Sequence, residues 1–149
     1  MNYKILFNFN ILSESYQLKL PLELDFLIPK DYSVRVLNLL IDSINLSKLE
    51  KTYSRKPNFP ISTMLKIVIY ANMNKIYSSR DIEKACRRDI NFMYLLGGAS
   101  VLDHSTIARF RANHFSTVAK DIMSQINEIL FKIGEINQQT IYIDRTKIE

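Results

Sequence analysis

The segment "ISTMLKIVIYANMNK", Ile61 to Lys75, is apolar almost all the way round a helical wheel. A surface helix shows one apolar stripe, whereas a helix apolar on every side must be enclosed by other elements. Its apolar run is too short to span a bilayer, and Lys66 sits inside it. The rest of the chain must therefore build a shell around this helix. Three Gly and four Pro in 149 residues leave little room for turns, so the shell has to be helical. A 47% hydrophobic and 23% charged composition is ordinary for a globular protein, and the length suits one compact domain.

The shell elements follow from caps and periodicity. Asp31 is a good N-cap, and Val34, Leu37, Ile41 and Ile44 share one helical face. "YSRKPNFP" is a loop, and Pro60 stands in the first turn of the enclosed helix, where its missing N–H costs nothing. Ser78 or Ser79 caps "RDIEKACRRD", with Asp81 forming a weak capping box. Asp89 caps "INFMYLL", which Gly97 or Gly98 ends, and Asp103 caps "HSTIARFRANH". The last helix places Phe115, Val118, Ile122, Ile126, Ile129 and Ile133 at spacings of three and four, with Gly134 as terminator. Its other face shows Lys120, Asp121, Gln125, Glu128 and Lys132.

Residues 1–30, with "LPLELDFLIPKDY", show no helical stripe and read as an extended arm. Near the other end, Thr140 to Ile143 reads as a strand closed by Asp144. The predicted fold is mainly α, a compact bundle of four to six helices with a helix-turn-helix-like segment over 79–114. The extended arm covers 1–30, the helical body 31–134, and one short strand lies within 138–149.

Charge is concentrated in one part of this plan. The net charge is +5, and the stretch from Lys75 to Lys120 holds eight basic against four acidic residues, so it carries +4 of it. A concentrated basic face is the footprint of a polyanion partner; the bland alternative is a solvated helix surface with i,i+4 pairs. Arg80, Lys84, Arg87 and Arg88 on one helix are candidate DNA contacts. In "LDHSTIARFR", His104, Ser105 and Thr106 occupy a first turn whose side chains and free N–H groups can reach a phosphate. Arg109 and Arg111 flank that helix, placed for phosphate or a guanine edge. His104 reads first as a local hydrogen-bonding residue and second as a DNA contact.

Other chemistries find little support. His104 and His114 are ten apart with no cysteine or carboxylate at ligand spacing, which is a poor metal site. The lone Cys86 excludes an internal disulfide and reads as a buried side chain. "MNYKILFNFNILSESY" is interrupted by polar residues and lacks a signal-peptide pattern. A soluble, cytoplasmic protein with no membrane partner is expected.

Four stretches, "LPLELDFLIPKDYSVRVLNLLID", "YSSRDIEKACRRDINFMYLLGG", "LDHSTIARFR" and "IYIDRTKIE", come in the order and spacing of one family. Together, from about Gln17 to Glu149, they closely resemble the N-terminal region of bacterial insertion-sequence transposases of the DDE type. The resemblance implies a helical domain that binds double-stranded DNA at the element's terminal inverted repeats. It also implies that residues 138–149 are the first strand of an RNase H-like catalytic domain whose remainder is missing here. Asp144 would align with the first catalytic, metal-binding carboxylate, and Mg²⁺ is implied for a complete family member. Two-metal phosphoryl transfer needs carboxylates from separate strands. The expectation is therefore a fragment that binds DNA, carries no cofactor and is inactive alone.

A second copy of the chain, or a full-length transposase, is a further expected partner. Alternatives are a stand-alone DNA-binding protein, an inhibitor of transposition, a non-functional remnant, or a plain helical interaction domain. The chain departs from the family pattern at Arg145, usually Gly, at Leu102, usually Pro, and at Tyr32, often His.

Overall fold

The computed structural model describes residues 27–135. In order, they form α1 (Ser33–Ser43), α2 (Ser47–Glu50), α3 (Ile61–Met73), α4 (Ser79–Arg88) and α5 (Ile90–Leu96). There follow α6 (His104–Arg109), a π-helical turn π1 (Phe110–Phe115) and α7 (Ser116–Lys132). No strand occurs among the described residues. Most of the expected arm, the expected strand and both Asp144 and Arg145 lie outside them.

The enclosed helix is α3. Met64, Leu65, Ile67, Val68, Tyr70 and Ala71 are all buried, and α1, α4, α5 and π1 pack around it. Lys66 is the one buried charged residue among those described, and its Nζ donates to Asp42 Oδ1 on α1 at 2.6 Å. An ammonium in that position without a partner would cost several kcal/mol. Asp42 is half exposed, so the pair stays partly hydrated. Phe92 of α5 is fully buried and meets Tyr70 edge-on, with ring centroids 5.1 Å apart.

The caps expected at Asp89 and Asp103 are in place, and Gly97 ends α5 in the left-handed conformation at φ 57°. The start of α1 differs. Its N-cap position is Tyr32, with no side-chain cap bond, and the Tyr32 N–H donates to the Pro29 carbonyl at 3.2 Å. That turn leaves Asp31 one residue short of capping. A tertiary contact holds the helix start instead: the Arg35 guanidinium donates to the Ile28 carbonyl at 3.0 Å and lies over the Tyr94 ring. Ser78 is the N-cap of α4, again without a side-chain cap bond.

The largest departure is π1. The sequence predicts two helices after Asp103, yet α6, π1 and α7 form one continuous helical run. No Gly or Pro interrupts residues 103–133. The apolar spacing does change, from Phe110 to Phe115, a step of five. In an α-helix a step of five rotates the stripe by about 140°. A π turn absorbs one extra residue, removing about 100° of that rotation. Phe115 therefore returns to the side of Phe110, and the two rings stack with centroids 6.2 Å apart.

Along α7, Ile122 is buried while Val118, Ile126 and Ile129 pack against the core. Two residues expected on its solvent face are docking contacts. Gln125 accepts from the Asn45 N–H at 2.8 Å and donates to the Asn45 carbonyl, and Asp121 accepts from Lys48. Ile133, expected on the apolar face, is 63% exposed because α7 outruns the core. Gly134, at φ 81°, closes the helix: its N–H bonds Phe131 and that of Glu135 bonds Leu130.

Replacing Phe92 with Ala should cost about 3–5 kcal/mol in chemical denaturation, the range for a buried aromatic. Leu39, 70% exposed on α1, should tolerate Ala within about 0.5 kcal/mol. Equal losses at the two positions would contradict this core.

Candidate functional site

At about 100° per residue, Arg80, Lys84, Arg87 and Arg88 fall within an arc of about 100° on α4. All four are exposed, and the opposite side of the helix buries Ile82 and Cys86 against α3 and α5. Lys84 donates to Asp81 at 3.0 Å and Arg87 to Glu83 at 2.8 Å, while Arg80 and Arg88 have no partner among the described residues. Exposed ion pairs of this kind are worth less than about 1 kcal/mol, so they yield readily to a stronger anion. The stripe is thus a cationic face held only lightly by its own carboxylates.

The adjoining helix α6 is set by two carboxylates. Asp103 Oδ1 accepts from the N–H groups of Ser105 and Thr106 at 2.9 and 3.0 Å. The Ser105 hydroxyl donates to the same oxygen at 2.5 Å, and the Thr106 hydroxyl to Oδ2 at 2.6 Å. Glu83, reaching across from α4, accepts from the His104 N–H at 3.1 Å and from its ring Nδ1 at 2.9 Å. The first-turn donors of α6 are therefore engaged within the protein, and His104 takes the hydrogen-bonding role.

These bonds favour the ionised carboxylates. The Ser105 hydroxyl, followed by Thr106, holds Asp103 far below the usual carboxylate range. Arg87, followed by His104, lowers Glu83 from 4.5 to about 2. Arg109 is exposed and, among the described residues, bonds only to the Ser105 carbonyl of its own helix, at 3.4 Å. Arg111 is partly buried and donates to the Tyr77 carbonyl, tying π1 to the connection before α4. The α4 face thus presents Arg80 and Arg88 unpaired among the described residues and Lys84 and Arg87 lightly paired, while Arg109 faces the 53–59 loop from α6. His104, Ser105, Thr106 and Arg111 instead serve local bonds.

A second group lies beside α6, in a stretch that the sequence marks only as a connector. The Tyr53 ring stacks on His114 at 3.7 Å with planes 8° apart. The Thr52 hydroxyl donates to the Leu49 carbonyl at 2.7 Å, so its oxygen accepts from His114 Nδ1 at 2.8 Å. Between this loop and π1 lies a cleft of about 280 Å³, whose walls include Lys56, Asn58, Phe59, Arg109 and Asn113. The signal that could have found it is Arg55 and Lys56 set among Tyr53, Pro57 and Phe59.

Among the described residues no three His, Cys, Asp or Glu side chains gather to hold a metal. None of the helices there is long and apolar enough to cross a membrane. Cys86 is fully buried, and burial pushes its thiol up to about 11, far from a reactive thiolate.

A family model described as "Transposase domain (DUF772)" matches residues 22–113, well over half of the chain. The match spans α1 to α6 and most of π1, and so includes both the α4 stripe and the loop beside α6. No curated protein and no solved structure matches.

The depressed Glu83 value sets a pH test. Its stabilising contribution is complete above its ordinary value of 4.5 and is lost as pH falls through about 2. In thermal unfolding, the gap between the natural chain and Glu83→Gln should shrink as pH falls from 4.5 toward 2. A gap that does not change with pH would mean that Arg87 and His104 do not hold Glu83 in its ionised form.

Proposed function

The chain belongs to the transposase domain family, and from that premise we propose that it binds double-stranded DNA at the terminal inverted repeats of an insertion sequence. The observation that carries this reading is the cationic stripe of α4, Arg80, Lys84, Arg87 and Arg88, with no fixed anion opposite Arg80 and Arg88 among the described residues. Phosphate contacts supply most of the affinity in such binding, while base edges supply specificity. In this reading α4, α5 and α6 act as a helix-turn-helix-like reader. The α4 stripe neutralises backbone phosphates. Arg109, exposed on α6, reaches a guanine edge. Glu83 and Asp103 fix the first turn of α6 through His104, Ser105 and Thr106, so that Arg109 is presented at a constant angle.

The catalytic side of the proposal concerns Asp144, as the first carboxylate of a DDE set. Mg²⁺ prefers about six oxygens in near-ideal geometry and sheds its water reluctantly. Two-metal strand transfer also needs carboxylates brought together from several strands. In the motif "IYIDRTKIE", Asp144 is the one residue that aligns with such a ligand, and Arg145 beside it adds a cation where a metal would bind.

With the four α4 cations on phosphates, log K against log[salt] should have a slope of about −3.6 on duplex carrying the element's ends. Binding that is undetectable or insensitive to salt would remove the proposal. Arg109→Ala should cost about 1–3 kcal/mol and relax preference at one position. Lys48→Ala should be nearly neutral in binding, since Lys48 faces Asp121 on α7.

The 149-residue polypeptide should cleave no DNA ends with Mg²⁺ or Mn²⁺, and Asp144→Ala should behave identically. Cleavage that disappears in Asp144→Ala would instead show that a partner chain completes the site.

A further inference from the structure

We infer that the cleft between residues 53–59 and π1 seats one backbone phosphate of the bound DNA, so that this loop and α6 grip the strand from two sides. The inference rests on the proposed DNA-binding role and adds a contact that the helical reader does not include. Four observations carry it.

The first is that the loop is held in place. Tyr53 is stacked on His114, Thr52 links His114 to the end of α2, and Phe59 is packed against the core. A cation on a fixed loop loses little freedom when it meets an anion, which is what preorganised binding requires. The second is charge. Lys56 and Arg109 both line the cleft, and no Asp or Glu does. Lys56 and its neighbour Arg55 have no partner among the described residues. Neither is held in an ion pair there, unlike Lys84 and Arg87 on α4.

The third is the lining chemistry. Asn58 and Asn113 add neutral amides whose N–H groups can donate to phosphate oxygens. Phe59, Met64 and Phe110 form apolar wall beside them, suited to the sugar that accompanies a phosphate. The fourth is size. At about 280 Å³ the cleft falls just under the range of pockets that enclose whole small-molecule ligands. It suits a group presented by a polymer passing over the surface. Arg109 belongs to both the cleft and the reading helix, so a strand seated here is continuous with the one that α6 reads.

The test is an anisotropy titration of a short duplex carrying the element's end, between about 50 and 200 mM salt. The proteins are the natural chain, Lys56→Gln, Lys56→Arg and Lys51→Gln. Lys51 is exposed, lies outside the cleft and has no partner among the described residues, so it serves as the charge-matched control. Lys56→Gln should bind more weakly at low salt and with a slope shallower by about 0.9, the loss of one phosphate. Over that fourfold salt range the gap to the natural chain should narrow by about 3.5-fold. Lys56→Arg should keep the natural slope, and Lys51→Gln should match the natural chain.

Lys56 is exposed, so Lys56→Gln should melt at the natural temperature, which circular dichroism checks. If Lys56→Gln keeps the natural affinity and slope, or loses no more than Lys51→Gln, the cleft is not a phosphate seat. The seat is equally ruled out if Lys56→Arg loses the slope as Lys56→Gln does. If the natural chain binds no duplex at all, the reading of the α4 face fails with it. A chain that loses binding with Arg80→Gln and Arg88→Gln but not with Lys56→Gln overturns the cleft alone.

Discussion

The shell depends on keeping α3 out of water. Leu65, Ile67 and Val68 are almost wholly buried, and side chains of this kind contribute about 1.5–3 kcal/mol each when removed from water. No single neighbour can cover a helix that is apolar on every side, so α1, α4, α5 and π1 must all contact it. This requirement places α4 with Ile82 and Cys86 inward and, because a helix has two sides, turns its basic residues outward. The cationic face is thus a by-product of core packing as much as a separate device. Lys66 is the exception that the shell tolerates, and Asp42 on α1 is what makes it tolerable.

Between α4 and α6 the organising contacts are polar. Glu83 joins Arg87 on its own helix to His104 on the next, and Asp103 gathers the first turn of α6. Exposed bonds such as these add little net stability. Their effect is geometric, since each donor at the start of α6 has one defined acceptor. A residue projecting one turn later, such as Arg109, then leaves the surface from a fixed base. The loop at 53–59 is fixed by a different means, the aromatic stack of Tyr53 on His114, and ends up beside the same helix.

Much of this was legible from residue order. The all-round apolar pattern identified α3, single side chains marked the caps at Asp89 and Asp103, and glycines marked the ends at Gly97 and Gly134. What escaped was set by contacts distant in sequence or by a rare backbone state. Asp31 looks like a cap, but the Pro29–Tyr32 turn and Arg35 decide where α1 begins. Asp121 and Gln125 look like solvent residues until Lys48 and Asn45 are brought to them. The break between Phe110 and Phe115 was visible as a step of five in the apolar spacing. It reads as two helices unless a π turn is considered. Glu83 meets His104 across 21 positions, and no local pattern announces that pairing.

The continuity of α6, π1 and α7 also has a mechanical side. Their 29 residues make a rod with a contour of about 43 Å, longer than many small domains are wide. One end bears Arg109 beside the 53–59 loop; the other closes at Gly134. The hydrogen-bonded ladder runs the rod's whole length, and Gln125 and Asp121 dock its second half on the body. The ladder changes its step only at π1, the kind of place where helices bend. There Arg111 is tied to Tyr77, and His114 to Thr52, so the joint is braced on two sides. A joint braced on both sides holds α6 and α7 at one angle, so the three pieces seat on the body as a single rod.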